Sequence, residues 1–328
     1  MKKRLISVVL VLVMALSMTT TVFAADNWES DIDTVGAASV NGVYYHSLQD
    51  ALANANGGVV KLEEKPNGTI NTNGAALSLD LNGFSADVNC GELTLTDSGT
   101  DDGTEGGKVY GEFTVTEKVI EKDGVTYVLL PGEDEGGKYY TANAVRVVLK
   151  KVSIRPSAAG MYFTTELKFN KNVVGAGATY GVVLSTHSEI GKDFMSEKND
   201  DNKLVNRWTV GKPDAGEDFN DNGNSCLVKN ILSEDANATV NATRGATDIY
   251  AHGYVKIGDI VIMAENNGTV KQSLKSVMQT FDGKVGANDL NEATVNKLVD
   301  FYKPWKAAMD EWKLTNIASA YAVKYPAA

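Results

Sequence analysis

The stretch EDFNDNGNSC, residues 217–226, places Asp218, Asn220 and Asn222 at alternate positions ahead of Gly223. That is the opening of a calcium loop, in which positions one, three and five supply oxygens and a glycine turns the chain at six. The loop should close with a bidentate carboxylate at position twelve, which here is Lys229, while Cys226 occupies position nine. An ammonium cannot ligate a cation, and calcium takes oxygen rather than sulfur. The flanks RWTVG and SCLVKNIL read as strands, with no helix entering or leaving. A looser site would have to recruit Asp214 or Glu217. The expectation is therefore no metal here, only a polar Asx-rich turn leading into a buried strand.

Other candidate chemistry is sparse. The histidines are His46, His187 and His252. None forms a pair with zinc spacing, and there is no C-x-x-C. His252 falls in a strand beside Tyr250 and Tyr254 and is expected to be structural; His187 falls at a strand end. No G-x-S-x-G nucleophile elbow occurs. Gly175, Gly177 and Gly181 in VVGAGATYGVVL miss the dinucleotide spacing by one residue, and the strand YGVVLST stands where that motif needs a helix. A glycine-rich connection between strands is expected. Arg155, in SIRPSAAG, either offers its guanidinium to a carboxylate ligand or pairs with an acidic residue that locks the sheet edge before Pro156. Cys90 and Cys226 fall in different segments, so two buried free thiols are expected rather than a disulfide. No catalytic residue, metal site or cofactor is assigned.

The elements that must carry these residues follow an export signal. Lys2, Lys3 and Arg4 precede an apolar Leu5–Leu16 core too short to span a membrane, and Val22 and Ala24 are the small residues before a cleavage point. Residues 1–24 are read as a signal peptide cleaved after Ala24. The product is expected outside the cell, soluble or held on the surface non-covalently, with no membrane insertion of the mature chain. Losing three cations leaves 28 Lys+Arg against 42 Asp+Glu, a formal charge of −14. That balance disfavours nucleic acid and anionic membranes as partners. Acid-rich stretches such as DSGTDDGTEGG are expected to be solvated loops.

Three composition regimes follow. In residues 25–138, Ser47 is a helix N-cap, with Asp50 three residues on and Leu48, Ala51, Leu52 and Ala55 on one helix face. The strand VVKLEE comes next, then short period-two runs (LSLDLNG, GELTLTDSG, GEFTVTEKV, GVTYVLL) separated by turns. Leu79 and Leu93, and Leu95 and Val109, lie 14 residues apart, a rough repeat suited to a small parallel solenoid. Residues 139–268 hold long β-type runs that fit one antiparallel sandwich, with a hairpin turn at Gly258-Asp259. One face of IYAHGYVKI should be core and the other interfacial. Residues 269–328 are helical. Val270, Leu274, Val277, Met278 and Phe281 share a face that ends at Gly283, and Asp289 with Glu292 caps the next helix. Leu298, Phe301, Trp305, Met309 and Trp312 form a stripe that docks on the sandwich, and Pro304 kinks or restarts that helix.

The order of these motifs resembles a group of secreted or cell-surface proteins of Gram-positive gut anaerobes. VNGVYYHSLQDALANANGGVVKL is similar to their opening helix and strand. LSLDLNGFSADVNCGELTLTDSG resembles the coils of short pectate-lyase-like β-helix segments. VSIRPSAAGMYF, RGATDIYAHGYVKI and LVDFYKPWKAAMDEWKL resemble the downstream sandwich and helical tail. The resemblance implies export and a mainly β fold: a short right-handed β-helix-like solenoid, then an antiparallel β-sandwich with C-terminal α-helices. It carries no assigned activity and no catalytic residues. It does raise polysaccharide cleavage, which needs a pair of facing carboxylates. Asp80, Asp87 and Asp97 lie on the coils, but Asp80 precedes Asn82-Gly83 and Asp97 precedes Ser98-Gly99, so these two read as turn formers. The expectation is a non-enzymatic extracellular protein whose partner is a glycan, a cell-wall component or a host protein. The alternatives are a carbohydrate-active enzyme using the N-terminal coils, or a structural part of a surface assembly.

Overall fold

The computed structural model describes residues 36–101, 103–186, 206–214, 216–264 and 271–326. The protein is mainly β, with two large sheets and C-terminal helices. The chain opens with the hairpin β1 (Ala38–Val40) and β2 (Val43–Tyr45). Its turn residues Asn41 and Gly42 have φ of 52° and 79°, the left-handed pair that a two-residue hairpin requires. Helix α1 (Leu48–Asn54) is capped by Ser47 as expected, its hydroxyl accepting from Asp50 N at 3.1 Å.

Short parallel pairings follow. β3 (Val60–Leu62) lies beside β5 (Leu77–Asp80), which lies beside the second half of β6 (Ala86–Thr96). β4 (Ile70–Asn71) lies beside the first half of β6, which in turn lies beside β7 (Val109–Thr114). Val60, Leu79 and Leu95 stack across one ladder, and Ile70 stacks on Val88 in the other. All are buried in one core with Leu62, Leu81 and Val109. The stacking places Leu79 on Leu95, not on Leu93 as the 14-residue spacing suggests. The reason is the corner at Gly91. Buried positions run Ala86, Val88, Cys90 and then Leu93, Leu95, so the alternation slips by one residue there. A Cβ at Gly91 would lie 2.3 Å from the Gly74 carbonyl oxygen.

The next strands are antiparallel. β8 (Val119–Lys122) and β9 (Val125–Asp134) form a hairpin, and β9 pairs with β10 (Gly137–Arg155). The start of β10 also meets β7, Tyr139 opposite Tyr110, so hydrogen bonding runs on from the parallel pairs into the long strands. β10 pairs with β11 (Gly160–Phe169), which is followed by the short helix α2 (Lys171–Gly175). A second sheet holds β12 (Thr179–Ser185), β13 (Asn206–Gly211), β15 (Ile249–Ile257), β16 (Ile260–Met263) and β17 (Lys271–Gln272). The first sheet ends at β14 (Phe219–Val228), paired with β11.

The two sheets pack face to face. Val145, Val147, Leu167 and Phe169 from one meet Tyr180, Val255, Ile257 and Ile262 from the other. Gly253 permits the approach, since a Cβ there would come within 2.7 Å of the Thr165 methyl. The hairpin at Gly258-Asp259 forms as expected, with Ile257 opposite Ile260. On the face of β15 expected to be interfacial, His252 and Tyr254 are buried, at 8% and 1% exposure, and Tyr250 is half-buried.

The helices cover the other end of these sheets. Leu149, Met161, Phe163, Val182 and Leu184 meet Leu274, Met278, Leu298, Phe301, Met309 and Trp312 in one core, with Trp305 packed at its edge. The aromatic stripe is therefore a packing face, as expected. Helix α4 (Leu274–Gly286) is capped by Ser273 through a reciprocal box with Ser276, and it runs past Gly283. Val270 lies outside the described residues. Helix α5 (Glu292–Met309) is capped by Asn291 rather than Asp289, and Pro304 lies inside it without restarting it. Two helices depart from the sequence reading, α2 within the expected strand connection and one more outside the helical tail, and a third lies inside the tail without having been delimited. The one outside the tail is α3 (Ala238–Ala246), capped by Asn237. The one inside the tail is α6 (Thr315–Lys324), whose first N–H groups are capped by Asp282 of α4, which accepts from Asn316 N at 3.0 Å and Ile317 N at 2.8 Å. No described helix is long and apolar enough to cross a membrane.

Candidate functional site

The carboxylates that could cleave a polysaccharide sit at the turns beyond β5 and β6. Asp97 is fully buried. Its Oδ1 accepts from Gly83 N at 2.6 Å and Gly99 N at 3.1 Å, and its Oδ2 accepts from Gly107 N at 2.7 Å. Asp80, 3% exposed, accepts from Ser98 N at 2.8 Å and Asn82 N at 3.1 Å, and Lys122 Nζ lies 3.4 Å from its Oδ2. Glycine is required around Asp97. A Cβ at Gly106 would sit 2.1 Å from Asp97 Oδ2, and one at Gly107 would sit 1.8 Å from the Phe84 carbonyl oxygen. Burial pushes the Asp97 carboxyl up to about 6, against the pull of its three backbone donors. These side chains close turns, as Asp80 and Asp97 were expected to do, and neither faces an open groove. The stretch DSGTDDGTEGG is accordingly not a wholly solvated loop, because Asp97 and Thr100 are its buried anchors. Thr100 Oγ1 accepts from Ala144 N at 2.9 Å, tying the loop to β10. Asp87 is exposed on β6, opposite Tyr110.

The Asp218 stretch is not a turn. Phe219–Val228 is strand β14, with Asn220 opposite Lys168 and Asp221 opposite Leu167. Asp218 precedes it and accepts from Lys171 N at 2.9 Å. The backbone stays paired with β11 on both sides of an irregularity at Asn222–Gly223, so it does not curl around an ion as a calcium loop does. Among the described residues no group of three His, Cys, Asp or Glu side chains could hold a metal. Millimolar calcium is expected to leave the melting temperature unchanged. A rise that disappears in Asp218→Ala would overturn this reading.

The remaining sequence candidates are scattered. His46 is exposed near α1, and His187 lies outside the described residues. His252 is buried on β15, and that burial holds its imidazole below the usual value. Cys90 is a buried free thiol; the side chain of Cys226 lies outside the described residues. Gly175 ends helix α2 and Gly177 has φ of 82° before β12, so helix precedes strand, the reverse of a dinucleotide turn. Arg155 does not make the acidic side-chain pair that would lock the sheet edge. It is exposed, its Nε donates to Ser157 Oγ at 3.1 Å, and its guanidinium lies 5.2 Å from the Tyr162 ring centroid. No ion pair among the described residues includes it.

The structure adds a cleft of about 290 Å³ that the sequence did not reveal. It opens where β9 begins and β10 runs on without it. Asp101, Val125, Arg146, Lys168 and Met263 are among the residues that line it. Asp101 accepts from the Tyr127 hydroxyl at 2.5 Å, and burial raises its carboxyl above the ordinary range. Two cations, one hydrogen-bonded acid and an apolar wall suit recognition of a polar ligand. The sequence carried a usable signal in RVVLKKVSIR, whose four cations stand within ten residues of an acidic chain.

No protein-family model matches this chain, and no curated protein or solved structure matches it either.

Proposed function

We propose that the protein is an exported, non-enzymatic extracellular protein that binds a glycan, a cell-wall component or a host protein. The observation that carries this reading is the state of the coil carboxylates. Asp80 and Asp97 are buried and bonded to backbone N–H groups and Lys122, so neither presents a free acid to a sugar ring. Glycoside hydrolysis needs two that do, roughly 5–9.5 Å apart. The parallel pairings of β3 with β5, of β5 and β4 with β6, and of β6 with β7 support coils of a short right-handed solenoid. The two face-packed antiparallel sheets support the sandwich. Export rests on the Lys2–Ala24 leader, and kinship with secreted proteins of Gram-positive gut anaerobes rests on the linked motifs.

A structural role in a surface assembly is favoured by one feature. The terminal strand β2 exposes Val43 at 57% and Tyr44 at 63%. The test is a screen of glycans, mucin and serum proteins at micromolar concentration, with sedimentation of the protein alone. Saturable binding by a monomer is expected. Concentration-dependent oligomers with no ligand would favour the assembly role, and the absence of both would contradict this reading.

A further inference from the structure

The exposed face of β10 and β11 departs from the rest of this acidic chain. Arg146, Lys150, Lys151 and Arg155 are all exposed on β10, and Lys168 stands opposite Arg146 on β11. The cations share a face because the strand carries a bulge between Leu149 and Lys151. Ahead of it Leu149 points inward; beyond it Val152 and Ile154 pack inward, so Lys151 and Arg155 return to the outer side. One carboxylate stands among them. Glu166 Oε2 lies 2.5 Å from Lys150 Nζ, and its Oε1 lies 3.9 Å from Arg146. Among the described residues no ion pair includes Lys151, Arg155 or Lys168. Five cations against Glu166, with Asp101 and Asp300 at the two ends of the strip, leave a local excess of positive charge on a chain of net −11.

The strip also has a shape. From Arg146 to Arg155 a strand spans roughly 30 Å at about 3.3 Å per residue. At one end Arg146 and Lys168 line the 290 Å³ cleft. At the other, Arg155 lines a groove of about 490 Å³ with Lys297, Pro304, Trp305 and Asp300, whose carboxylate is already held by Lys324 and Tyr325. Tyr162 lies under the Arg155 guanidinium at that end. Bridging two concavities with a line of cations, and offering aromatic surface at one of them, suits a linear anion built of rings. A compact anion would touch only one or two of the cations.

We infer that this face binds an acidic polysaccharide, a chain bearing carboxylate or sulfate groups, along β10. This rests on the binding reading above and names its ligand class. Guanidinium and ammonium groups would pair with the acid groups, and Trp305 would pack against a sugar ring.

The experiment is equilibrium binding of the full mature chain to polygalacturonate, heparin, neutral dextran and duplex DNA at two salt concentrations. The expected result is micromolar binding to an acidic polysaccharide, weakened by salt, with none to dextran and weaker binding to DNA. Arg146→Ser/Lys151→Ser/Arg155→Ser should weaken it by roughly tenfold or more while keeping the melting temperature. Should that variant fold poorly, the exposed single change Lys151→Glu carries the same test. Equal affinity for DNA, or wild-type affinity in the variants, would overturn the inference. Binding of dextran or a screened protein without the acidic polymers would overturn it and leave the broader reading standing. Absence of any ligand would remove both.

Discussion

Asp97→Ala is expected to lower the free energy of unfolding by about 3–5 kcal/mol, read from urea melts. The alanine would leave the N–H groups of Gly83, Gly99 and Gly107 without their acceptor. All three lie where the chain packs backbone against backbone: a Cβ at Gly99 would meet Gly83 N at 2.4 Å. The loop has little room to rearrange and let water in. A loss below about 1 kcal/mol would mean that the turns hold without the carboxylate.

The same side chain gives a pH signature. The folded-state value of about 6 lies above the ordinary carboxylate value, so the native state holds the proton more tightly than the unfolded chain. That contribution is fully present below about pH 4 and is lost as pH rises through about 6. His252, depressed by burial, contributes the opposite slope below its ordinary value. The difference between wild type and Asp97→Asn therefore isolates Asp97. Relative to Asp97→Asn, the wild type should lose stability between pH 4 and 6. A difference that is flat or rises over that interval would contradict the assignment.

Trp312→Ala is the second large effect, with a loss of about 3–5 kcal/mol expected. The indole is 2% exposed, and its Nε1 donates to the Ala242 carbonyl at 3.2 Å. Its ring also fills the space above Gly245, where a Cβ would sit 2.4 Å away. Removing it opens a cavity between α3 and the C-terminal helices and takes away the indole N–H that ties Trp312 to the Ala242 carbonyl. Hydrogen exchange in Ala238–Ala246 should rise with the loss of global stability. Unchanged protection there would show that α3 does not depend on the indole.

These two residues also show how far the sequence could be read. The apolar stripe ending at Trp312 was legible because helical period alone puts Leu298, Phe301, Met309 and Trp312 on one face. Its partner α3 was not. Half of NATVNATRGA is Asn, Thr or Gly, poor helix formers, and the helix is held by the Asn237 cap and by packing against Trp312. Asp97 was legible as a turn former from its Ser-Gly neighbours. Its burial was not, because the donors Gly83 and Gly107 are 14 and 10 residues away. The Asp218 stretch misled in the other direction: a run of Asp, Asn and Gly normally turns, yet pairing with β11 extends it. Arg155 drew attention as a single charge. Its context came from the bulge in β10, which returns Lys151 to the face of Arg146 and which no local pattern announces.

Binding without catalysis can be read from a single set of samples. The purified mature chain is incubated with pectin, mucin and peptidoglycan, and bound protein and released saccharide are read from the same samples. Saturable binding with no release above the buffer control is expected. Release of product that is abolished by Asp80→Asn, in a variant that still folds, would contradict it.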